Sequence, residues 1–231
     1  MHSTGNNIIT SLLQGHKERF YESIYAARTI LLKQLNSLFS LSNEEQHIII
    51  SHLKEVSNKC YNNFKHSKNK YYKDGDGEII FNPFHSVQYM IFLYYLSSII
   101  FDSHGSIPLC DKIYYLNKIL NSVDLFYAIK LPEHFDSEHP LGSVMGRAKY
   151  TNGFFFYQGC TVGGTRDKNG TLYYPKISEN VTMYSNSSIL GKCQIGKNVK
   201  IGAGCIIKNQ DIPSDCIVFG QSPNLIIKRN I

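Results

Sequence analysis

Six cysteines, Cys60, Cys110, Cys160, Cys193, Cys205 and Cys216, are the first candidates for chemistry. None belongs to a Cys-x-x-Cys pair and no His-x3-His accompanies them, so neither a zinc site nor any other metal site is expected. The first ten residues are polar and contain Gly5, unlike a secretory leader. The expected location is therefore the cytoplasm, with free buried thiols rather than disulfides. The Asn-x-Ser/Thr triplets at Asn169, Asn180 and Asn186 then carry no glycosylation. Imidazole suits general acid–base work near neutral pH, and the last of nine histidines is His139. Lys65, Lys68, Lys70 and Lys73 crowd one stretch with His66, Tyr71 and Tyr72. That stretch reads as a solvated loop, with a surface for an anionic substrate as the alternative. A net charge of +6 without a dense Lys/Arg stripe argues against nucleic acid.

These groups must be positioned by two kinds of structure. In 231 residues, 42% hydrophobic and 18% charged, there is material for a sizeable core and no case for wholesale disorder. Apolar residues at Ile8, Ile9, Leu12, Leu13, Phe20, Ile24, Leu31, Leu35, Leu38 and Phe39 keep a helical period over residues 7–40. Ser42 and Glu45 have the spacing of a capping box, opening a helix from Asn43 to about Tyr61. The doubled Asp-Gly between Tyr71 and Gly77 predicts a turn. Pro83 and Pro108 each suit the first turn of a further helix, to about Phe101 and Leu120. Ile79 to Phe101 is 23 residues without a charge, long enough to span a bilayer. Asn82, Pro83, His85, Gln88, Ser97 and Ser98 interrupt it, so a buried amphipathic helix is expected and a membrane span is not.

Beyond Asp124 the texture changes. Ile177, Met183, Ile189, Ile195, Ile201 and Ile207 are each six residues from the last. Small or medium residues, Val181, Ser187, Cys193, Val199 and Cys205, precede the later five by two. That period fits a triangular coil in which each short side sends one aliphatic inward to stack on the next coil. Cys193 and Cys205 then fill the column, and Gly191, Gly196 and Gly202 fall near its corners. Gly163 to Pro175 breaks the register and predicts an outward loop, a frequent carrier of function.

From about Val123 to Ile227 the chain resembles the serine acetyltransferase family of left-handed β-helix acyltransferases. The likeness is carried by HPLGSVMGRA at 139–148, YQGCTVGGT at 157–165, YPKI at 174–177, the repeat, and GQSPNLIIK at 220–228. The fold it implies is α+β: an N-terminal α-helical domain over 1–122, serving packing and assembly, then a left-handed parallel β-helix over 123–231. The resemblance implies that His139 is the general base on an acceptor hydroxyl, which attacks the thioester of acetyl-CoA. Asp124, fifteen residues upstream, would orient the imidazole. The chemistry stands by itself, since a hydroxyl needs a base near neutral pH and a carboxylate stabilises the imidazolium that forms. With no histidine after His139, the three-histidine zinc site of carbonic-anhydrase-like relatives is absent.

On the acceptor side the chain departs from the family. Glu138 stands where serine-specific members have Asp, and Tyr173-Tyr174 where they have Arg-His. Losing the guanidinium removes a natural partner for an amino-acid carboxylate, whereas Tyr rings stack on sugars. The expectation is therefore a carbohydrate acceptor, in a surface or capsular polysaccharide or its precursor, bound by Glu138, Tyr173 and Tyr174. Loop packing is the other reading of the two tyrosines. For acetyl-CoA the resemblance implies contacts from Gly164, Thr165, Ser185 and Ala203, with Lys200 and Lys228 on the phosphates. It also implies a homotrimer, with pairing into a hexamer as a further option. The alternatives are a true serine O-acetyltransferase and a non-catalytic β-helix for assembly.

Overall fold

The computed structural model describes residues 3–229. They divide into two compact units, whose boundary in the chain falls between Ile113 and Tyr114.

The first unit is helical, with α1 over Ser3–Phe39, α2 over Asn43–Phe64, α3 over Ser86–His104 and the start of α4, Pro108–Asn121. Ile8, Ile9, Leu12 and Leu13 lie outside the residues whose side chains are described. From Phe20 onward the periodic positions Phe20, Ile24, Leu31 and Leu35 are buried, as their spacing requires, whereas Leu38 is exposed and Phe39 half-buried in the last turn. The capping box at Ser42 forms: Ser42 Oγ accepts from Glu45 N at 3.1 Å and Glu45 Oε2 from Ser42 N at 2.9 Å. Lys112 Nζ closes on Glu45 at 2.7 Å. Pro108 opens α4 as expected, but Pro83 does not open α3. Asn82 to His85 form a separate turn, and His85 Nδ1 caps the helix by accepting from Gln88 N at 3.4 Å. Nor is α3 amphipathic: Val87 to Ile100 are buried on all sides. Its polar groups are paired internally, Gln88 with Asn82 N and Ile80 O, and Ser97 with Leu93 O. Among the described residues no helix is long and apolar enough to cross a membrane.

The second unit is a parallel β-helix of triangular section, entered through the last turns of α4. One face stacks Phe135–Ser137, Phe154–Phe156, Thr182–Met183, Lys200–Ile201 and Cys216–Gln221. The next stacks Val144–Met145, Thr161–Gly163, Ser188–Leu190 and Ile206–Lys208. The third carries Lys176–Ile177, Gln194–Ile195 and Ile212. Successive members of the six-residue register rotate around the prism, so each meets its partner one full coil on: Ile177 with Ile195, Met183 with Ile201, Ile189 with Ile207. All six are buried, as are Cys193 and Cys205. An antiparallel strand, Asn224–Arg229, covers the last coil.

The corners differ from expectation in who turns them. Gly191 does adopt positive φ, but Gly196 and Gly202 do not. These two are needed for close approach: a Cβ on Gly196 would sit 2.4 Å from Ser214 N, and one on Gly202 2.5 Å from the Phe219 ring. One edge is turned instead by Asn180, Asn198 and Asp215, with φ of 57, 56 and 58°. Their side chains form a ladder, Asn180 Nδ2 to Asn198 Oδ1 at 3.1 Å and Asn198 Nδ2 to Asp215 Oδ1 at 2.7 Å. Asn tolerates the left-handed region because its short amide can bond locally. The register break emerges as a small hairpin, pairing Thr165–Arg166 with Leu172–Tyr173.

Candidate active site

The first corner of the β-helix is larger than those stacked on it. Eight residues separate inward-facing Ser137 from Met145, against six from Phe156 to Val162 and six from Met183 to Ile189. The surplus puts Glu138 and His139 at the surface of the corner, with Pro140 buried beneath them. His139 takes φ of 51°, unusual for a residue with a Cβ, and its carbonyl accepts from Leu141 N at 2.8 Å. Its side chain is 78% exposed, with Nε2 3.9 Å from Glu138 Oε1. Exposed imidazole on a backbone fixed from below is a group that substrate can reach.

Glu138 is anchored by its N–H to Phe156 O at 3.2 Å. Burial first, and then the neighbouring Glu138 carboxylate, push the Tyr157 phenol above its ordinary range. Tyr157 stacks on Tyr184 one coil further, centroids 5.3 Å apart and planes within 12°. Ser185 follows on that edge, its carbonyl accepting from Gly204 N at 2.8 Å, and exposed Ala203 lies one coil beyond. His139, Glu138, Tyr157, Tyr184, Ser185 and Ala203 thus share one edge of the prism. On the adjoining face Lys200 and Lys228 flank Ile217 in one outward row.

The chain leaves α4 at Asn121, and Asp124 runs beside the first corner. Ser122 O accepts from Gly142 N at 2.8 Å, Asp124 N donates to Ser143 O at 2.9 Å, and Asp124 O accepts from Met145 N at 3.0 Å. Its carboxylate, however, faces α4. Tyr114 Oη donates to Oδ1 at 2.6 Å and Lys118 Nζ to Oδ2 at 2.9 Å. Among the described residues no hydrogen bond joins Asp124 to His139. The structure places the two at one corner without bringing the carboxylate to the ring.

The remaining residues sit at the hairpin edge. Thr165 Oγ1 bonds Asn209 Oδ1 at 3.0 Å, tying the hairpin to the coils. The Tyr174 ring covers Gly164, where a Cβ would stand 2.8 Å from it. Tyr173 carries the Lys192 ammonium over its face, 5.3 Å from the centroid. Each tyrosine therefore has a neighbour within the chain and is half-buried. Sequence reasoning missed Tyr114, Lys118, Tyr157 and Tyr184. A signal existed for the first pair, which are four apart on one helix, and for the second, each the residue after an inward position. Among the described residues no three His, Cys, Asp or Glu side chains gather as a metal site would need.

Residues 174–209 match the family model for the bacterial transferase hexapeptide (six repeats). The class this defines is the left-handed β-helix built of hexapeptide repeats. Within that class the likeness is to serine acetyltransferases. The chain is 34% identical over 118 residues to the serine acetyltransferase of Synechococcus elongatus, covering 51% of this chain and 48% of the relative. It is 33% identical over 107 residues to that of Escherichia coli K12, 46% of this chain and 38% of the relative. The chain spans about half the length of the first of these curated relatives and less of the second. The fold is shared with the crystal structure of serine acetyltransferase from Vibrio cholerae, at TM-score 0.68 and 22% identity, covering 87% and 78% of the two chains. It is shared too with the Neisseria gonorrhoeae enzyme in complex with serine, at TM-score 0.64 and 20% identity, covering 91% and 96%. The likeness points to serine acetyltransferases, not to the capsular-polysaccharide branch expected from Tyr173 and Tyr174. That expectation treated the tyrosines as free to stack on a ligand, whereas both are engaged by neighbours.

Proposed function

We propose that the chain is an acetyl-CoA-dependent O-acetyltransferase whose acceptor is the hydroxyl of serine. The observation that carries this reading is His139, raised on an enlarged corner and exposed, on the same edge as Ser185 and Ala203. In the reaction, His139 takes the proton of the acceptor hydroxyl as its oxygen attacks the thioester carbonyl. The tetrahedral intermediate collapses with loss of the CoA thiolate, which receives the proton back from the imidazolium. In this reading Asp124, at the same corner, serves as the carboxylate partner of the ring. Glu138 faces the acceptor ammonium. Lys200 and Lys228 meet the CoA phosphates as point charges, and the edge between them and His139 carries the pantetheine arm past Ser185 and Ala203. Gly164 and Thr165 lie at another edge of the prism, so a site that uses them joins copies of the chain, as in a trimer. A second reading, a carbohydrate acceptor, draws on the Tyr157–Tyr184 stack beside His139, since paired aromatic faces suit a sugar ring. The test is thiol release from acetyl-CoA with L-serine and with a panel of bacterial polysaccharides in parallel. Turnover on serine alone supports the main reading; turnover on a polysaccharide alone overturns it for the second.

A further inference from the structure

The side chains of Tyr114, Lys118 and Asp124 form a closed cluster in which each touches the other two. Besides their bonds to the carboxylate, Lys118 Nζ donates to Tyr114 Oη at 3.3 Å and lies 5.2 Å from the centroid of its ring. Tyr114 is itself held edge-on by Phe126 and Tyr127, at 5.3 and 6.2 Å. The bond to Asp124 holds the ammonium of Lys118 above its ordinary range, with the Tyr114 hydroxyl adding to it. Packing does not require this arrangement. The Asp124 backbone is already fixed to the first coil by two hydrogen bonds, so the strand needs no help from the side chain. What the cluster does fix is the position of the carboxylate and the charge it presents. Each oxygen has been given one donor, and a carboxylate can accept about four, so a face remains for an imidazole N–H.

We propose that Tyr114 and Lys118 are positioning residues for the base: they hold Asp124 at the first corner and offset its charge, so that His139 meets a half-neutralised carboxylate. The proposal rests on the reading of His139 as the base and Asp124 as its partner. The charged and titratable groups facing Asp124 are Tyr114 and Lys118 from α4, while the strand beside it offers Ser143 and Val144, which carry no charge. Glu138 faces the imidazole, 3.9 Å from Nε2, with Tyr157 beside it.

The sign follows from electrostatics. Removing the Lys118 cation leaves Asp124 a stronger partner for the imidazolium, so the base loses its proton at higher pH. In Lys118→Met the acidic limb of the kcat/KM profile moves up by about 0.5–1 pH unit, a range that allows for screening of a partly exposed pair. Tyr114→Phe moves it in the same direction by less, and Lys118→Arg restores the original position. The decisive measurement is the pair of profiles with Asp124→Asn in place. There Lys118→Met has no carboxylate to act through, and its shift disappears. An equal shift with and without Asp124, or no shift in Lys118→Met at unaltered thermal stability, overturns the proposal. His139→Ala separates the two levels: full turnover in that variant removes the reading beneath, whereas its inactivity alongside an unmoved limb in Lys118→Met removes the positioning role alone.

Discussion

Asn198 is the point where the repeat's geometry is most exposed to test. It turns a corner at φ of 56°, accepts from Asn180 at 3.1 Å and donates to Asp215 at 2.7 Å. Asn198→Ala forces a methyl-bearing residue without a local hydrogen bond into the left-handed region, at about 1–2 kcal/mol. It also deletes two solvent-exposed ladder bonds, each contributing about 0.5 kcal/mol at the low end of the usual range. The expected loss is about 2–3 kcal/mol. Asn198→Gly removes the same bonds but keeps the turn at little steric cost, and should lose about 1 kcal/mol. Urea unfolding followed by the β-sheet circular dichroism signal reads the difference as a shift of the midpoint at constant slope. If Ala and Gly prove equal, the corner conformation contributes nothing and the account of how the coils turn is wrong. If Gly is the worse of the two, the freedom glycine adds to the unfolded chain outweighs the strain of the corner.

Three further outcomes follow from the same structure. All six thiols are buried, and burial pushes Cys60 well up and Cys205 to about 11, so a disulfide reagent at pH 8 should titrate them only at the rate of unfolding; one thiol reacting within seconds in the native protein would contradict this. Burial raises the Glu45 carboxyl, but hydrogen bonds from Lys112 and Ser42 outweigh it and hold the group below its ordinary value. Its contribution is therefore present above the unfolded carboxylate range and lost as pH falls through the lower folded value; Glu45→Gln should cost about 1 kcal/mol at pH 7 and flatten that acid dependence, both read from thermal unfolding. Alanine at Lys200 and at Lys228 should raise KM for acetyl-CoA severalfold with kcat unchanged; a fall in kcat alone would place the phosphates elsewhere.

Legibility in the sequence followed how local each signal is. The six-residue register was visible because every inward position repeats one physical demand, and the rotation from Ile177 to Met183 to Ile189 is that demand met on three faces in turn. Ser42 with Glu45 and Pro108 were legible because caps are written within four residues. Pro83 misled because a first-turn proline and a turn proline look alike until the capping group, here His85, is known. The all-round burial of α3 was hidden because its polar residues, Gln88 and Ser97, find partners in their own neighbourhood. At the site, His139 could be picked out by motif, but its enlarged corner shows only when the spacings of stacked coils are compared. The partners of Asp124 and of Tyr173 depend on which elements meet in space, and no spacing along the chain announces that Lys118 takes one carboxylate or Lys192 one ring.

The central claim is that His139 is the base of an acetyl transfer to a hydroxyl. Turnover of acetyl-CoA with L-serine, compared between the native chain and His139→Ala with matched folding by circular dichroism, tests it most directly. The account predicts a fall in kcat of about 10²–10⁴-fold, the usual worth of a general base, with acetyl-CoA still bound. Undiminished turnover in His139→Ala would contradict it and leave the raised corner as scaffold alone.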